Sequence, residues 1–375
     1  HFTDRRQRQM CIRDRYRCII PRRNCNFNSF RGYCQFAVSK MIFGDTDVKN
    51  ASGCMLAHAI NLNALKFPKG HTLSEADCKE LYRNGINVVK VARLEDFDIS
   101  ENDAALIIAQ AICSHEKIGR ISIKRSRTGR VNLVAEQAGV VRLEKQAIVK
   151  ANMVDHMITI ATVPDFQQIK KGGLIATIKI ISYAVDKNSV QKFCRLISGS
   201  ISFYGPKISS AALVVTYLDD QKEKIRIDAI KDRLINLNIS LEKVIFSKHS
   251  LDALAKSLAN LQSELILILT ASATSDYFDI APEAIRMCGG TVGRFGMPVD
   301  PGNLLFLGDL KGSSVIGLPG CARSPAINGA DWVLSRIACG FLPDEKDFAE
   351  MSIGGLLKEM KSRPSPRRKG EKNKA

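Results

Sequence analysis

Long apolar runs are missing from this chain of 375 residues, although 45% of its residues are hydrophobic. The longest apolar patches, 211–218 and 264–270, fall well short of the ~18 residues that a membrane-spanning helix requires. The first residues also lack the apolar segment of a secretory signal peptide. We therefore expect a soluble, cytoplasmic protein that has no membrane partner.

Paired cysteines are also missing. None of the eleven cysteines belongs to a C-x-x-C pair, and Cys11, Cys18, Cys25 and Cys34 are spaced too widely for a zinc knuckle. Scattered cysteines of this kind are typical of reduced, buried thiols in cytoplasmic proteins. The pattern therefore favours reduced cysteines over a zinc site.

An excess of positive charge is missing from the middle of the chain, although the formal net charge is +17. Residues 1–40 carry +8 and residues 358–375 carry +6, which leaves +3 for the 317 residues between them. A nucleic-acid-binding face is basic on the folded domain itself. We therefore expect no nucleic-acid partner, and a nucleic-acid-binding protein stays an alternative that depends on the two tails alone.

The two ends of the chain differ from the rest. Residues 1–40 have no hydrophobic periodicity, and MCIRDR (10–15) resembles a translated adapter of a sequencing library. We expect this segment to be non-native, with Met41 as the natural start; a disordered basic arm is the alternative. Residues 346–375 end in a run rich in proline and lysine and are expected to form a linker or a disordered tail.

Between the ends, the patterns predict three regions. Residues 41–118 are predicted to form an α+β region, and residues 119–205 a module rich in β-strands. Strands and helices alternate over residues 206–345, which predicts a parallel or mixed sheet flanked by helices. The expected fold class is thus α/β. Helices are expected over 51–60, over 71–85 with Ser74 as its N-cap, and over 100–113.

One strand exit in the third region is suited to anion binding. In SSVIGLPGCARSPAINGADWVL (313–334), Ser324 and the proline after it are typical of a helix start, which predicts a helix over 324–339. Gly317 and Gly320 would let the backbone approach a phosphate at the N-terminus of that helix, beside the guanidinium of Arg323. An ordinary turn between a strand and a helix is the alternative.

Cys321 lies in the same loop and raises the alternative of a catalytic nucleophile. A reactive cysteine needs a basic partner, and the neighbouring sequence contains no histidine. We therefore expect the loop to hold its ligand with backbone groups, with Cys321 as a small residue that faces the ligand.

Two further loops carry candidate residues. In TASATSDYFDIAPEAI (270–285), Asp276 and Asp279 precede a helix, where a carboxylate either caps the helix or binds Mg²⁺ or orients a water. In FGMPVDPGNLLFLG (295–308), prolines and a glycine, including Pro298 and Gly302, predict a rigid connection between two strands. The segments that begin at Thr216, Ser247, Thr270 and Gly317 are all strand exits, so the site is expected beyond the carboxyl ends of these strands, where ligands of such sheets bind.

These loops resemble those of a known family, the molybdopterin-binding proteins of molybdenum-cofactor biosynthesis. The 270–285 loop is similar to that of their MoaB/Mog-type domain at Thr270, Asp279 and the Pro-Glu-Ala that follows, but Ala271 and Ser272 replace paired glycines. GMPVDPGNLLFLGDLKGSSVIGLPG (296–320) resembles the molybdopterin molybdenumtransferases, with Cys321 and the next alanine in place of Asn-Pro. The resemblance is greatest to a bacterial subgroup in which a cytidylyltransferase domain often follows the linker, and it covers about residues 41–365.

The resemblance implies a transferase that inserts molybdate into adenylylated molybdopterin, with Mg²⁺ as a further cofactor. Its partners would be a nucleotidyltransferase or a molybdoenzyme, and a homodimer, since relatives often dimerise. Asp279 would be the catalytic residue and the metal ligand. Molybdopterin would be bound by Thr270, Ala271, Ser272, Asp276, Pro298, Gly302, Gly317, Gly320, Cys321, Arg323 and Ser324.

A non-catalytic carrier that passes molybdopterin to a nucleotidyltransferase is the alternative. Ala271 and Ser272 restrict how closely the backbone can approach a phosphate, which favours this alternative. His249 favours it as well, because relatives often carry an acidic residue near its position. A lone histidine there is a surface or capping residue, or else a ligand contact.

Overall fold

The computed structural model describes residues 41–62, 65–114, 120–126, 128–218 and 225–357. The predicted segment 1–40 and most of the predicted tail therefore lie outside the described residues. No helix in the described part is long and apolar enough to cross a membrane. The first elements are β1 (Ile42–Asp47), β2 (Met55–Leu56), β3 (Ile60–Leu62), β4 (Leu65–Phe67), α1 (Glu75–Arg83) and β5 (Val88–Arg93).

This first region has a small core under one antiparallel sheet of order β1-β5-β2. Helix α1 begins as predicted, because the Ser74 side chain accepts from the Asp77 N–H while the Asp77 carboxylate accepts from the Ser74 N–H. The helix expected over 51–60 is wrong: Gly53 takes a φ of +79°, and β2 follows it. The backbone N–H of Leu56 donates to His71, so this segment is bound to its neighbours as extended chain.

The second region consists of antiparallel sheets packed against helices. Two of its sheets have the orders β10-β12-β8-β7 and β11-β9-β14, and β13 pairs with β6. Its core contains the apolar face of α2 and also residues of α3 and α4, so the structure places α2 with this core. The elements are β6 (Asp98–Ser100), α2 (Glu101–Cys113), β7 (Ile121–Arg125), β8 (Arg130–Ala135), β9 (Gly139–Leu143), α3 (Lys145–Asn152), β10 (Ile158–Thr162), β11 (Gln168–Ile169), β12 (Leu174–Ile180), β13 (Ala184–Asp186), α4 (Lys187–Ile197) and β14 (Ile201–Tyr204).

The third region is built on a mixed sheet of six strands in the order β16-β15-β17-β20-β19-β18. The first four strands of this order are parallel to one another, and β19 and β18 are antiparallel additions at one edge. The elements are β15 (Ser210–Tyr217), α5 (Asp228–Ile235), β16 (Ser240–Lys248), α6 (Leu251–Ala259), β17 (Leu265–Leu269), α7 (Ile280–Met287), β18 (Thr291–Phe295), β19 (Phe306–Leu310), β20 (Ser313–Leu318), α8 (Gly329–Ala338) and α9 (Glu345–Glu350).

Helices cover both faces of this sheet because its central strands are apolar on both sides. Leu213 of β15 faces the core formed with α5 and α8, whereas its neighbour Val214 faces the core formed with α6 and α7. Helix α9 lies at the start of the predicted tail and buries Phe348 in the first of these cores. The mixed α/β class predicted from the sequence is confirmed.

The N-cap of helix α8 lies four residues later than predicted. Its N-cap is Asn328, which forms a reciprocal capping pair with Asp331, and the predicted cap Ser324 is in extended conformation four residues earlier. The prediction of a helix start at Ser324 was wrong because Arg233 binds the carbonyl groups of Ser324 and Ala326 and so holds this segment outside the helix. A short 3₁₀ turn over Gly320–Arg323 precedes it.

Candidate functional site

Buried hydroxyl groups mark the carboxyl ends of the parallel strands. Thr216 of β15 is completely buried, and Ser247 of β16 and Thr270, directly after β17, are each 5% exposed. The chain leaves β15 towards α5 on one face and leaves β17 towards α7 on the other face. Neighbouring strands whose chains leave to opposite faces open a crevice at their carboxyl ends, which is where ligands of such sheets bind.

A histidine joins two of these strand ends. The Nδ1 atom of His249 lies 2.9 Å from Oγ1 of Thr216, and its Nε2 atom lies 2.9 Å from Oγ of Ser272. The backbone N–H of Ala271 also donates to Oγ1 of Thr216, at 2.8 Å. His249 itself is fixed at the end of β16, since its N–H donates to the Tyr217 carbonyl. The structure thus brings Ala271 and Ser272 together with a histidine that the sequence left between two interpretations.

Arg323 connects the two principal loops. Its Nη2 atom donates to the carbonyl oxygen of Thr270 at 2.7 Å, which joins the 3₁₀ turn after β20 to the loop after β17. No carboxylate within the described ranges forms an ion pair with it. Partial burial lowers the pKa of this guanidinium. A cation in these surroundings can gain energy by binding an anion from solution.

Arg233 on α5 shapes the loop that carries Arg323, and it was not among the residues predicted from the sequence. Its side chain is 8% exposed, and its Nε donates to Oδ1 of Asp331 at 2.7 Å. Its other nitrogens donate to the carbonyl groups of Ala229, Ala322, Ser324 and Ala326. A signal was available, because Arg233 falls between the buried residues Ile230 and Leu234 on the apolar face of its helix.

The two predicted acids both bind their own loop. Asp279 is the N-cap of α7, and its carboxylate accepts from the N–H of Ile280 at 2.7 Å and from that of Ser275 at 3.0 Å. Oδ1 of Asp276 accepts from the N–H of Phe278 at 2.8 Å. The capping alternative raised by the sequence therefore describes the position of Asp279. The role of Asp279 as a metal ligand stays a prediction.

The described residues contain no group of three or more His, Cys, Asp or Glu side chains that could hold a metal ion. Oδ2 of Asp276 makes no hydrogen bond in the described part, whereas both oxygens of Asp279 accept one. Mg²⁺ is commonly held by one or two carboxylates together with phosphate groups of a ligand. These acids fit a metal ion of that shared kind and do not form a complete protein site.

The other candidate residues of the 313–334 stretch differ in what surrounds them in the fold. A Cβ atom on Gly317 would lie 2.0 Å from the ring of Phe306, so the lack of a side chain at Gly317 makes room for this ring. Gly320 is open by comparison, because an added Cβ would meet only Nη1 of Arg323, at 3.7 Å. Oγ of Ser324 accepts from the N–H of Ala326. Burial raises the pKa of the Cys321 thiol, which opposes the formation of a nucleophilic thiolate.

The 295–308 connection packs against the start of α8. Gly302 takes a φ of +140°, and a Cβ there would lie 2.6 Å from the backbone nitrogen of Gly329 at the start of α8. The N–H of Gly329 donates to the carbonyl of Pro301. Pro298 is exposed, and its carbonyl lies close to Gly355. The contacts of Gly302 and Pro298 therefore support the fold of this connection.

Comparison with known proteins gives limited matches. A family described as a domain of unknown function, DUF8806, matches residues 45–93, within the first region. No curated protein shows a significant match. Among solved structures, the chain is similar to the molybdopterin biosynthesis moea protein from Pyrococcus horikosii, with 15% sequence identity and a TM-score of 0.27. That similarity covers 64% of this chain and 80% of the other.

Proposed function

We propose that this protein binds a phosphorylated molybdopterin-type ligand, in molybdenum-cofactor biosynthesis. The ligand would lie beyond the carboxyl ends of β15, β17 and β20, near the polar side chains of Thr216 and of the loops after β17 and β20. The motifs of these two loops are among those that resemble molybdopterin-binding proteins. The chemical class of the ligand rests on that resemblance, and its location rests on the geometry of the strand ends.

The observation that carries the proposal is that the guanidinium of Arg323 has no carboxylate partner among the described residues. This guanidinium is fixed by one hydrogen bond to Thr270. It is exposed enough for a ligand to reach, and Gly320 beside it leaves open space. A guanidinium offers several N–H donors in one plane, so those not used by Thr270 can bind phosphate oxygens.

Mg²⁺ would supply charge neutralisation for phosphate groups when it is bound. Asp279, as the resemblance implies, and Asp276, which has an oxygen without a hydrogen bond in the described part, would share it with the ligand. The site residues of this chain would meanwhile hold and orient the ligand. Molybdate would be a substrate and not a resident group.

Two roles remain within the proposal: insertion of molybdate into adenylylated molybdopterin, or carriage of the cofactor to a nucleotidyltransferase. The position of Asp279 favours the carrier, because both of its oxygens already bind backbone N–H groups. A helix cap has no need of reactive chemistry. The resemblance to the molybdenumtransferases favours insertion.

The ligand itself is identified by denaturing the purified full-length protein and analysing the released small molecules by mass spectrometry. The proposal predicts a phosphorylated pterin, and a ligand of another class would contradict it.

The Asp279→Asn variant separates catalyst from carrier through molybdate-dependent release of AMP from adenylylated molybdopterin. Catalysis by Asp279 predicts a rate reduced by ~10²-fold or more with binding retained, because the charge matters most in the reaction. Asparagine also caps helices well, so the variant should stay folded. Equal rates would remove Asp279 from the mechanism, and no release by either protein with ligand still bound would identify a carrier.

A further inference from the structure

The donor and acceptor roles of the Thr216 hydroxyl follow from its burial and its two hydrogen-bond partners. The side chain is completely buried, and its Oγ1 already accepts the N–H of Ala271 at 2.8 Å. Nδ1 of His249, at 2.9 Å, is the one further polar partner that the described residues offer. A buried hydroxyl without an acceptor costs about 1–3 kcal/mol. The Thr216 hydroxyl therefore donates its hydrogen to Nδ1 of His249.

This direction determines the tautomer of His249. A ring nitrogen that accepts a hydrogen bond carries no proton, so the proton of the neutral imidazole is on Nε2. Nε2 lies 2.9 Å from Oγ of Ser272, which must then be the acceptor. The Ser272 hydroxyl hydrogen is left without an acceptor in the described part of the protein, and Ser272 is exposed. It is therefore available to a ligand.

We propose that Thr216 and His249 act as positioning residues that make Ser272 a hydrogen-bond donor to an anionic oxygen of the bound ligand. The hydroxyl lies on the loop that Arg323 joins through the carbonyl of Thr270, so both donors belong to the same pair of connected loops. This inference rests on the proposed function for the class of ligand. Its hydrogen-bond direction follows from burial and geometry alone.

The opposite direction would give the same three residues another chemistry. If Nδ1 carried the proton, Nε2 would accept the Ser272 hydrogen, and His249 could act as a general base for a serine nucleophile. The two assignments differ in the position of a single proton. They can be distinguished without any ligand.

Nitrogen-15 NMR of the full chain with labelled histidine measures that position directly. Six histidines contribute to the spectrum, and the His249→Gln variant identifies the signals of His249 by their loss. We expect a protonated Nε2 and an unprotonated Nδ1, and we expect this preference to weaken in Thr216→Val, which keeps the shape of the side chain but has no hydroxyl. A proton on Nδ1 in the wild type would overturn the inference.

Binding of inorganic phosphate tests the role of Ser272. Ser272→Ala should weaken phosphate affinity about tenfold, as expected for a lost hydrogen bond to a charged group. Ser275→Ala is the matched control, because the Ser275 hydroxyl donates to a carbonyl of the same loop. Equal affinity of Ser272→Ala and wild type would overturn the donor role.

A fluorophosphonate probe tests the nucleophile directly. Labelling of Ser272 that disappears in His249→Gln would replace the donor with a nucleophile, whereas absence of labelling agrees with the donor. If no phosphorylated pterin is found with the protein but the proton is on Nε2, the proposed function fails while the hydrogen-bond direction stands.

Discussion

At the scale of single residues, the crevice combines side chains that are satisfied within the protein with a few that are not. Asp279 and Thr216 make their hydrogen bonds to neighbouring protein groups, and these bonds shape the loops. Arg323 and Ser272 each keep donors that no described residue accepts. Unsatisfied donors at the surface of a crevice are the groups that a ligand can bind without displacing existing hydrogen bonds.

Cys321 provides the first test at this scale. Because burial raises the pKa of its thiol, the reactive thiolate should be rarer at neutral pH in the folded protein than in the unfolded chain. We therefore expect iodoacetamide to alkylate Cys321 more slowly in the native protein than in urea, with the native rate rising as the pH is raised. Peptide mass spectrometry measures both rates. Faster alkylation of the native protein would restore the nucleophile.

Glu101, at the start of α2, gives the stability of the second region a pH dependence. It is buried, and this burial raises the pKa of its carboxyl group, although Lys179 and Lys69 oppose the shift. At a pH below the pKa of Glu101 in the unfolded chain, the carboxyl group is protonated in both states, and the free energy of unfolding does not change. As the pH rises from that pKa to the higher pKa of the folded state, the unfolded state releases its proton first, and the free energy of unfolding falls.

The Glu101→Gln variant tests this sign. Its free energy of unfolding relative to wild type should be higher at pH 7 than at pH 4, as measured by urea denaturation at both values. Glu242→Gln, a change at an exposed glutamate of β16, is the matched control. A relative stability of Glu101→Gln that decreases between pH 4 and pH 7 would contradict the expected effect of burial.

At the scale of elements, packing explains glycines that the sequence assigned to ligand binding. Gly317 of β20 lies opposite Phe306 of β19, and an added Cβ would lie 2.0 Å from the ring. Gly317→Ala should therefore reduce the free energy of unfolding by about 1–3 kcal/mol, as overpacking does in other cores. The measurement is the urea midpoint, with the slope of the transition checked for constancy.

Two further variants show whether the ring is the cause. In the Phe306→Leu background, Gly317→Ala should reduce the free energy of unfolding by less, because the ring that the added Cβ would meet is gone. Gly293→Ala on β18 should change stability little, since an added Cβ there meets nothing within 4 Å. A loss of equal size with and without the Phe306 ring would refute this explanation.

The start of α8 illustrates what sequence reasoning can and cannot recover about an element. Ser324 and Pro325 carry a strong local signal for a helix start, but Asn328 and Asp331 carry an equally local capping pair, and the structure uses the second. The choice between them depends on Arg233, which is 91 positions away from Ser324 and binds its carbonyl. Local patterns contain both starts, and only a distant contact selects one. By contrast, α1 had a single local signal and was predicted correctly.

At the scale of the whole molecule, alternation of strands and helices was enough to predict the fold class. The parallel strands have apolar residues on both faces, and this property is visible in 211–217 and 264–270 without a structure. The antiparallel edge of β19 and β18 and the grouping of α2 with the second core depend on contacts between distant segments. Spacing along the chain does not record such contacts.

The sequence named Thr270, Ala271, Ser272 and Arg323 as candidate ligand-binding residues, and the structure brings them together because their loops follow neighbouring strands. Arg233 was not identified, since a buried arginine that binds carbonyl groups has no motif of its own. The sequence therefore pointed to residues of these loops and not to the distant arginine that holds one of them in place.

The most direct test of the account compares the affinity of wild type and Arg323→Ala for molybdopterin. Loss of a charge-assisted hydrogen bond of ~1.5–3 kcal/mol predicts binding that is weaker about tenfold or more. Arg83→Ala, which removes an exposed arginine of α1, is the control and should bind as wild type does. Equal binding by Arg323→Ala and wild type would contradict the central claim that this guanidinium holds the phosphate of the ligand.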